Sequence, residues 1–163
     1  MKLVVFDLEN TLIFNEFLPE LAALVGKEAE VAAITREGID GRIDWEQGFR
    51  LRAAHLRGLT RAQILRAARE LRPMPGAKDF VAWLKARSTK VVLVTGGPRE
   101  VAESALALFN ADTVFSNEFH YEDGVFTGDV TIYVSRAARA RSCVNSRPSG
   151  AFGRTRSSRW ATA

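Results

Sequence analysis

The chain is short of several things that would otherwise decide its class. It has one cysteine, Cys143, so no internal disulfide can form, and no ligand type stands near it at metal-binding spacing. No apolar run reaches bilayer-spanning length. The apolar N-terminal stretch is broken by Asp7 and Glu9 before it can act as a secretion signal, which predicts a cytoplasmic protein without a membrane partner. Only two histidines occur, His55 and His120. No serine, cysteine or acid stands in a catalytic relation to either, so both read as surface or packing groups. No acid follows Asp129 and no lysine follows Lys90. The net charge of +4 is therefore unevenly spread: residues 1–134 hold 16 basic and 19 acidic groups, and residues 135–163 hold seven arginines and no acid. Basic character belongs to this tail alone, and only through it would the chain bind RNA or another acidic surface.

What is present begins at the first strand. Lys2-Leu-Val-Val-Phe-Asp7 reads as a buried parallel strand, followed at once by Leu8-Glu9-Asn10-Thr11. Ligands in open α/β sheets bind at such carboxyl ends. A carboxylate at Asp7 can attack phosphorus, and a second acid two residues on, at Glu9, lies on the same side of an extended segment and can protonate a leaving oxygen. The plainer alternative is a strand end with an Asx-type turn.

From about Glu16 to Leu71 apolar residues recur at three and four spacing, with glycines at 26, 38, 41 and 58. Thr60, with Gln63 three residues on, predicts a capping box. Pro73-Met-Pro-Gly76 ends this helical bundle. Lys78–Arg87 reads as a helix with Phe80, Val81 and Leu84 inward, and Trp83 as core. Lys90–Thr95 reads as a second buried strand ending in Thr95-Gly-Gly-Pro98, and a helix runs on to about Asn110. A short third strand is expected over Asp112–Ser116, then a hairpin of Glu118–Tyr121 and Val125–Val130 about Asp123-Gly124. The order is α/β, with a helical cap inserted after the first strand. Its length of 163 residues allows one core and a small cap.

Thr95 with Gly96 and Gly97, ahead of a helix start, forms a ready phosphate cradle, though a strand-to-helix turn has the same need for glycine. The two motifs together, Asp7-Leu-Glu9-Asn-Thr11 and Thr95-Gly96, resemble the first two motifs of the haloacid dehalogenase superfamily. Within it, Ile34–Gln47, Phe115-Ser-Asn-Glu118 and Asp123-Gly-Val-Phe-Thr-Gly128 resemble the phosphoserine phosphatase-like members. The second acid is Glu where the superfamily usually has Asp. Glu at this place resembles phosphoserine:homoserine phosphotransferases, an alternative activity.

The resemblance implies a Rossmann-like core in residues 1–13 and 74–134, a helical cap in 14–73, and a tail over 135–163 whose composition reads as disordered or non-native. It implies Mg2+-dependent phosphomonoester hydrolysis through an aspartyl phosphate on Asp7, with Glu9 as acid and then base, and a place in serine biosynthesis. Thr95 and Gly96 would hold phosphate. Glu16 would receive the ammonium of a phosphoserine-like metabolite and Arg52 its carboxylate, with Ile39 and Trp45 as apolar walls. Arg50 contests the role of Arg52.

Two further superfamily motifs, a lysine and an acidic strand end, have no counterpart after Asp129. Arg136 or Arg139 would have to replace the lysine. The metal would be left to Asp7 and the main-chain carbonyl of Glu9, so weak Mg2+ binding and impaired catalysis are expected. The core would be incomplete on the outer side of the first strand, leaving an apolar edge. An Arg-, Ala-, Ser- and Gly-rich tail is also what a GC-rich gene yields when read out of frame. A second alternative is then an inactive, truncated or frameshifted chain with a nucleic-acid-binding basic tail.

Overall fold

The computed structural model describes residues 2–135 and the strand Arg154–Thr155. Its elements are β1 (Lys2–Asp7), α1 (Phe17–Ala23), α2 (Glu28–Ile39), α3 (Trp45–Ala54), α4 (Arg61–Arg69), α5 (Ala77–Ala86), β2 (Thr89–Pro98), α6 (Arg99–Phe109), β3 (Thr113–Glu122), β4 (Val125–Thr131) and β5 (Arg154–Thr155). This is a mixed α/β fold, with a parallel β1-β2-β3 sheet flanked by helices and the antiparallel β4 on β3. The remainder of 135–163, including Arg136, Arg139 and Cys143, lies outside the described residues. The short β5 pairs antiparallel with β3 at Val114 and Phe115.

Apolar burial forms two clusters. One packs β1, β2, α5 and α6 together around Leu93, Val91, Val81, Val101 and Phe109. The other packs α1 to α4 around Leu21, Phe49, Leu56 and Ile64, and takes in Phe119, Phe126 and Val130 from the β3–β4 hairpin. The hairpin belongs there for a hydrogen-bonding reason as well. The Gly58 N–H donates to the Phe126 carbonyl (3.0 Å), the Phe126 N–H to Leu59 (2.7 Å) and the Arg61 N–H to Gly124 (2.8 Å). The loop before α4 thus pairs with the hairpin as a partial strand. Gly128 takes φ 90° where β4 passes α3, a backbone conformation that residues with a side chain rarely adopt.

The two segments that connect β1 to the helices and the helices back to α5 run side by side. The Phe14 N–H donates to Arg72 (2.9 Å) and the Met74 N–H to Leu12 (2.8 Å). Buried Asn15 clasps them, donating to Glu20 and accepting from the Arg72 N–H at 2.7 Å.

Local sequence chemistry appears where expected. Thr60 and Gln63 form the capping box, and Asp123 and Gly124 take the positive φ values of a two-residue hairpin turn. Three expectations are corrected. The first strand is not buried: every residue of β1 is exposed or half-buried. The third strand and the first hairpin strand are one continuous strand, β3, which changes partner from β2 to β4 along its length. Phe80 and Trp83 are also not core: both are about half exposed, at 49% and 50%. They lie on the flank of α5 toward β1, where Phe80 meets the edge of Phe6 and Trp83 carries the Arg87 guanidinium 4.0 Å over its ring. Among the described residues β1 pairs with β2 alone, so this flank has no further strand beside it.

Candidate active site

The β1/β2 register places Asp7 opposite Val94, so Asp7 and Thr95 leave the sheet at the same carboxyl end. Asp7 is exposed there. Past it the chain coils tightly: the N–H groups of Thr11, Leu12 and Ile13 all converge on the Leu8 carbonyl (3.3, 2.9 and 3.2 Å), and Asn10 takes φ 56°. Buried Leu8, Leu12 and Ile13 anchor the coil in the sheet cluster.

That coil turns Glu9 toward α1. Its Oε1 accepts the N–H of Phe17, the first residue of the helix, at 2.9 Å. Glu16 stands at the N-cap but makes no side-chain cap bond, so Glu9 caps α1 from eight residues before Phe17. Glu16 is held instead by Asn10, whose Nδ2 donates to Oε1 at 2.6 Å.

Arg52 projects from α3 with its Nε donating to the Gly48 carbonyl (3.1 Å). Burial pushes its pKa down, and the carboxylates of Glu9 and Glu16 push back by favouring the cation. The guanidinium therefore lies in the field of both acids. Arg50 points elsewhere: its two terminal nitrogens donate to Glu46 and to the Val130 carbonyl, each at 3.0 Å. Trp45, the first residue of α3 after the Asp44 cap, stacks on Phe49 at 5.3 Å beside the helical cluster. Ile39, at the end of α2, is 79% exposed and is not brought together with the others.

The phosphate-cradle candidate has its own geometry. Val94 pairs with Phe115 and Pro98 with Asn117, so Thr95, Gly96 and Gly97 stand opposite Ser116 alone. The three residues bulge from the ladder. Thr95 is fully buried, and its Oγ1 accepts the Gly97 N–H at 2.9 Å. A methyl at Gly97 would lie 3.2 Å from that oxygen, and Phe17 packs on the same point. Phe17 thus bonds Glu9 through its main chain and brings its ring near Gly97.

Among the described residues no three His, Cys, Asp or Glu side chains converge as a cation site. Asp7 and the Glu9 carbonyl do not by themselves complete an octahedral oxygen set for Mg2+. A separate polar recess of about 400 Å3 lies between α4, α6 and β3, lined by Arg61, Arg99, Glu100, Glu118, His120 and Tyr121. In it buried Glu100 accepts from Arg61 Nε at 3.0 Å.

The sequence alone assigns no site role to Phe17 or Asn117, and to Asn10 only that of a turn residue. Asn117 falls between two expected strands, and its place inside β3 emerges only from the structure. Among the described residues no helix is long and apolar enough to cross a membrane.

The sequence pattern of the haloacid dehalogenase-like hydrolases matches residues 4–147. The chain is 34% identical over 129 residues to a phosphoserine phosphatase of Methanocaldococcus jannaschii, covering 79% of this chain and 61% of the relative. It is 39% identical over 129 residues to a phosphoserine phosphatase of Albidiferax ferrireducens, covering 78% and 54%. A solved structure described as a phospho-aspartyl intermediate analogue of phosphoserine phosphatase superposes with a TM-score of 0.73 at 34% identity, covering 79% of this chain and 62% of that one. The chain thus spans little more than half to three-fifths of these relatives' lengths.

Proposed function

Because the chain belongs to the haloacid dehalogenase-like hydrolase family, we propose that it acts on a phosphomonoester of an amino acid, phosphoserine-like, with Asp7 as the phosphoryl acceptor. One observation carries the reading: the register that sets Asp7 opposite Val94 puts a carboxylate at the sheet end from which the Thr95–Gly97 bulge projects. The relative's structure described as a phospho-aspartyl intermediate analogue supports the same assignment.

An Asp7 oxygen attacks phosphorus as the ester P–O bond breaks, and Glu9 gives the leaving alkoxide its proton. Water then attacks the acyl phosphate, Glu9 takes the water's proton, and phosphate leaves with Asp7 regenerated. The Phe17 N–H fixes the Glu9 carboxylate for both steps. Thr95 Oγ1 accepts from the Gly97 N–H, which leaves its own proton to donate to a phosphoryl oxygen. Glu16 and Arg52, one anion beside one cation, suit the ammonium and carboxylate of an amino acid, and Trp45 supplies an apolar wall. Mg2+ is the cation such chemistry uses, to stabilise charge on the phosphoryl oxygens. The residues described do not complete its site, so no step is assigned to it. The relatives above are phosphatases, which favours water over an alcohol as the final acceptor. The same reading extends to a role in serine biosynthesis, in the cytoplasm.

The test is phosphate release from phosphoserine with Mg2+ present, by the full chain and by Asp7→Asn, alongside borohydride trapping of the acyl phosphate. Release and trapping confined to the parent are expected. Equal release by both proteins removes Asp7 from the mechanism.

A further inference from the structure

We propose that Asn117 is a positioning residue for the phosphate-binding loop: it locks the Gly96–Gly97 peptide plane in one orientation and ties that plane to the chain returning at Tyr133–Val134. The proposal rests on reading Thr95–Gly97 as the phosphate cradle.

Three hydrogen bonds define the geometry. Asn117 is 1% exposed, and burial of a primary amide costs stability unless its groups are paired. Its Nδ2 donates to the Gly96 carbonyl at 3.0 Å. Its Oδ1 accepts two N–H groups, Tyr133 at 2.9 Å and Val134 at 2.8 Å. The Gly96 carbonyl and the Gly97 N–H belong to one planar unit. Asn117 holds the oxygen end of that plane and Thr95 Oγ1 holds the hydrogen end.

The clamp matters because this plane lies between two glycines. The bulge takes Thr95–Gly97 out of regular ladder pairing, and two successive glycines offer no side chain to restrict φ and ψ. A free Gly-Gly plane flips at little cost. A flip would withdraw the Gly97 N–H from Thr95, and the hydroxyl would then no longer be oriented by it. Preorganised donors act only if they already point where charge develops. Asn117 thus works on phosphate through Thr95, without touching the ligand.

Asn117→Asp is the informative substitution. Its carboxylate, when ionised, keeps the two acceptor bonds but sets an anion against the Gly96 carbonyl; when protonated, it regains an O–H donor. Burial opposes ionisation of such a carboxyl, and the two N–H donors at its oxygen favour it. The experiment is a titration of the full chain and of Asn117→Asp with inorganic phosphate at pH 8, read by 15N amide signals of Gly96 and Gly97 and by calorimetry.

At pH 8 the variant should show displaced Gly96 and Gly97 signals and phosphate binding weakened about tenfold relative to the parent. Unmoved loop signals in folded Asn117→Asp at pH 8 would overturn the proposal. So would displaced signals in a variant that binds phosphate as tightly as the parent. If the variant does not fold at pH 8, the parent decides: a scalar coupling from the Asn117 side-chain amide to the Gly96 carbonyl carbon, with slowed exchange of one amide proton, is expected, and its absence refutes the clamp. Loop signals that shift as expected in a chain that binds no phosphate would reject the proposed function while leaving the clamp standing.

Discussion

The cap that Glu9 provides to α1 makes a quantitative prediction about the one acid that departs from the superfamily's usual Asp. The glutamate's extra methylene is what lets a residue at this position reach the Phe17 N–H at 2.9 Å. Shortening it to Asp moves the oxygen back by roughly 1.5 Å and breaks the bond, since a contact beyond about 3.5 Å is no longer one. Loss of a helix cap costs ~1 kcal/mol, and loss of an anion at a helix N-terminus costs ~0.5 kcal/mol more. Glu9→Gln keeps the acceptor and loses the charge, so it should cost ~0.5 kcal/mol. Glu9→Asp keeps the charge and loses the bond, ~1 kcal/mol, and Glu9→Ala loses both, ~1.5 kcal/mol. With a urea dependence of about 2 kcal/mol per molar, the midpoints should fall by roughly 0.25, 0.5 and 0.75 M in that order. Urea unfolding of the four proteins at pH 7 checks this. A Glu9→Asp midpoint equal to the parent's would show that the cap is not what the longer side chain supplies.

Three other outcomes follow from the same structure. Burial opposes ionisation of Asp112, but the Val91 N–H and the ammonium groups of Lys90 and Lys85 prevail and hold its pKa at about 2. Its stabilisation is complete above its ordinary pKa near 3.8 and is lost as pH falls through about 2. Asp112→Asn should cost ~1 kcal/mol at pH 6 after solvent screening and little at pH 2, and a pH-independent difference in urea midpoint refutes this. Glu100 is 4% exposed while its partner Arg61 is 57% exposed, so removing the arginine strands a buried charge whereas removing the acid leaves a solvated one. Arg61→Ala should therefore cost ~2 kcal/mol and Glu100→Gln ~1 kcal/mol in urea unfolding, with equal losses as the contrary result. Phe126→Ala, which empties a fully buried site stacked 4.4 Å from Phe119, should cost ~3–5 kcal/mol, measured by thermal unfolding with Trp45 fluorescence alongside; a loss below ~1 kcal/mol would contradict the packing described.

Features governed by local chemistry were legible in the sequence. Thr60 with Gln63, Asp123-Gly124 and Pro73–Gly76 each constrain a few adjacent residues, and each acts where it stands. Features set by distant partners were not. Nothing local tells β3 to run straight through Ser116 and Asn117, because its continuity comes from β2 on one side and β4 on the other. Periodicity placed Phe80 and Trp83 on an apolar helix face but could not say whether a strand would cover that face. Asp7 and Thr95 were legible as strand-end residues. The links from Glu9 to Phe17 and from Asn117 to Gly96 join residues 8 and 21 positions apart and became visible only with the loop geometry.

The shared cluster of helices and hairpin also dictates an order of events during synthesis. Residues 17–69 form α1 to α4, but the floor on which they close is Phe119, Phe126 and Val130, and the bonds at Gly58 and Leu59 await Phe126. A nascent chain must carry a half-built apolar surface through roughly fifty further residues, while β2 and α6 are made, before that surface can seal. Helical segment 14–73 is thus no self-sufficient module: excised or transplanted without residues 113–131, it would expose Phe49, Leu56 and Ile64 and aggregate.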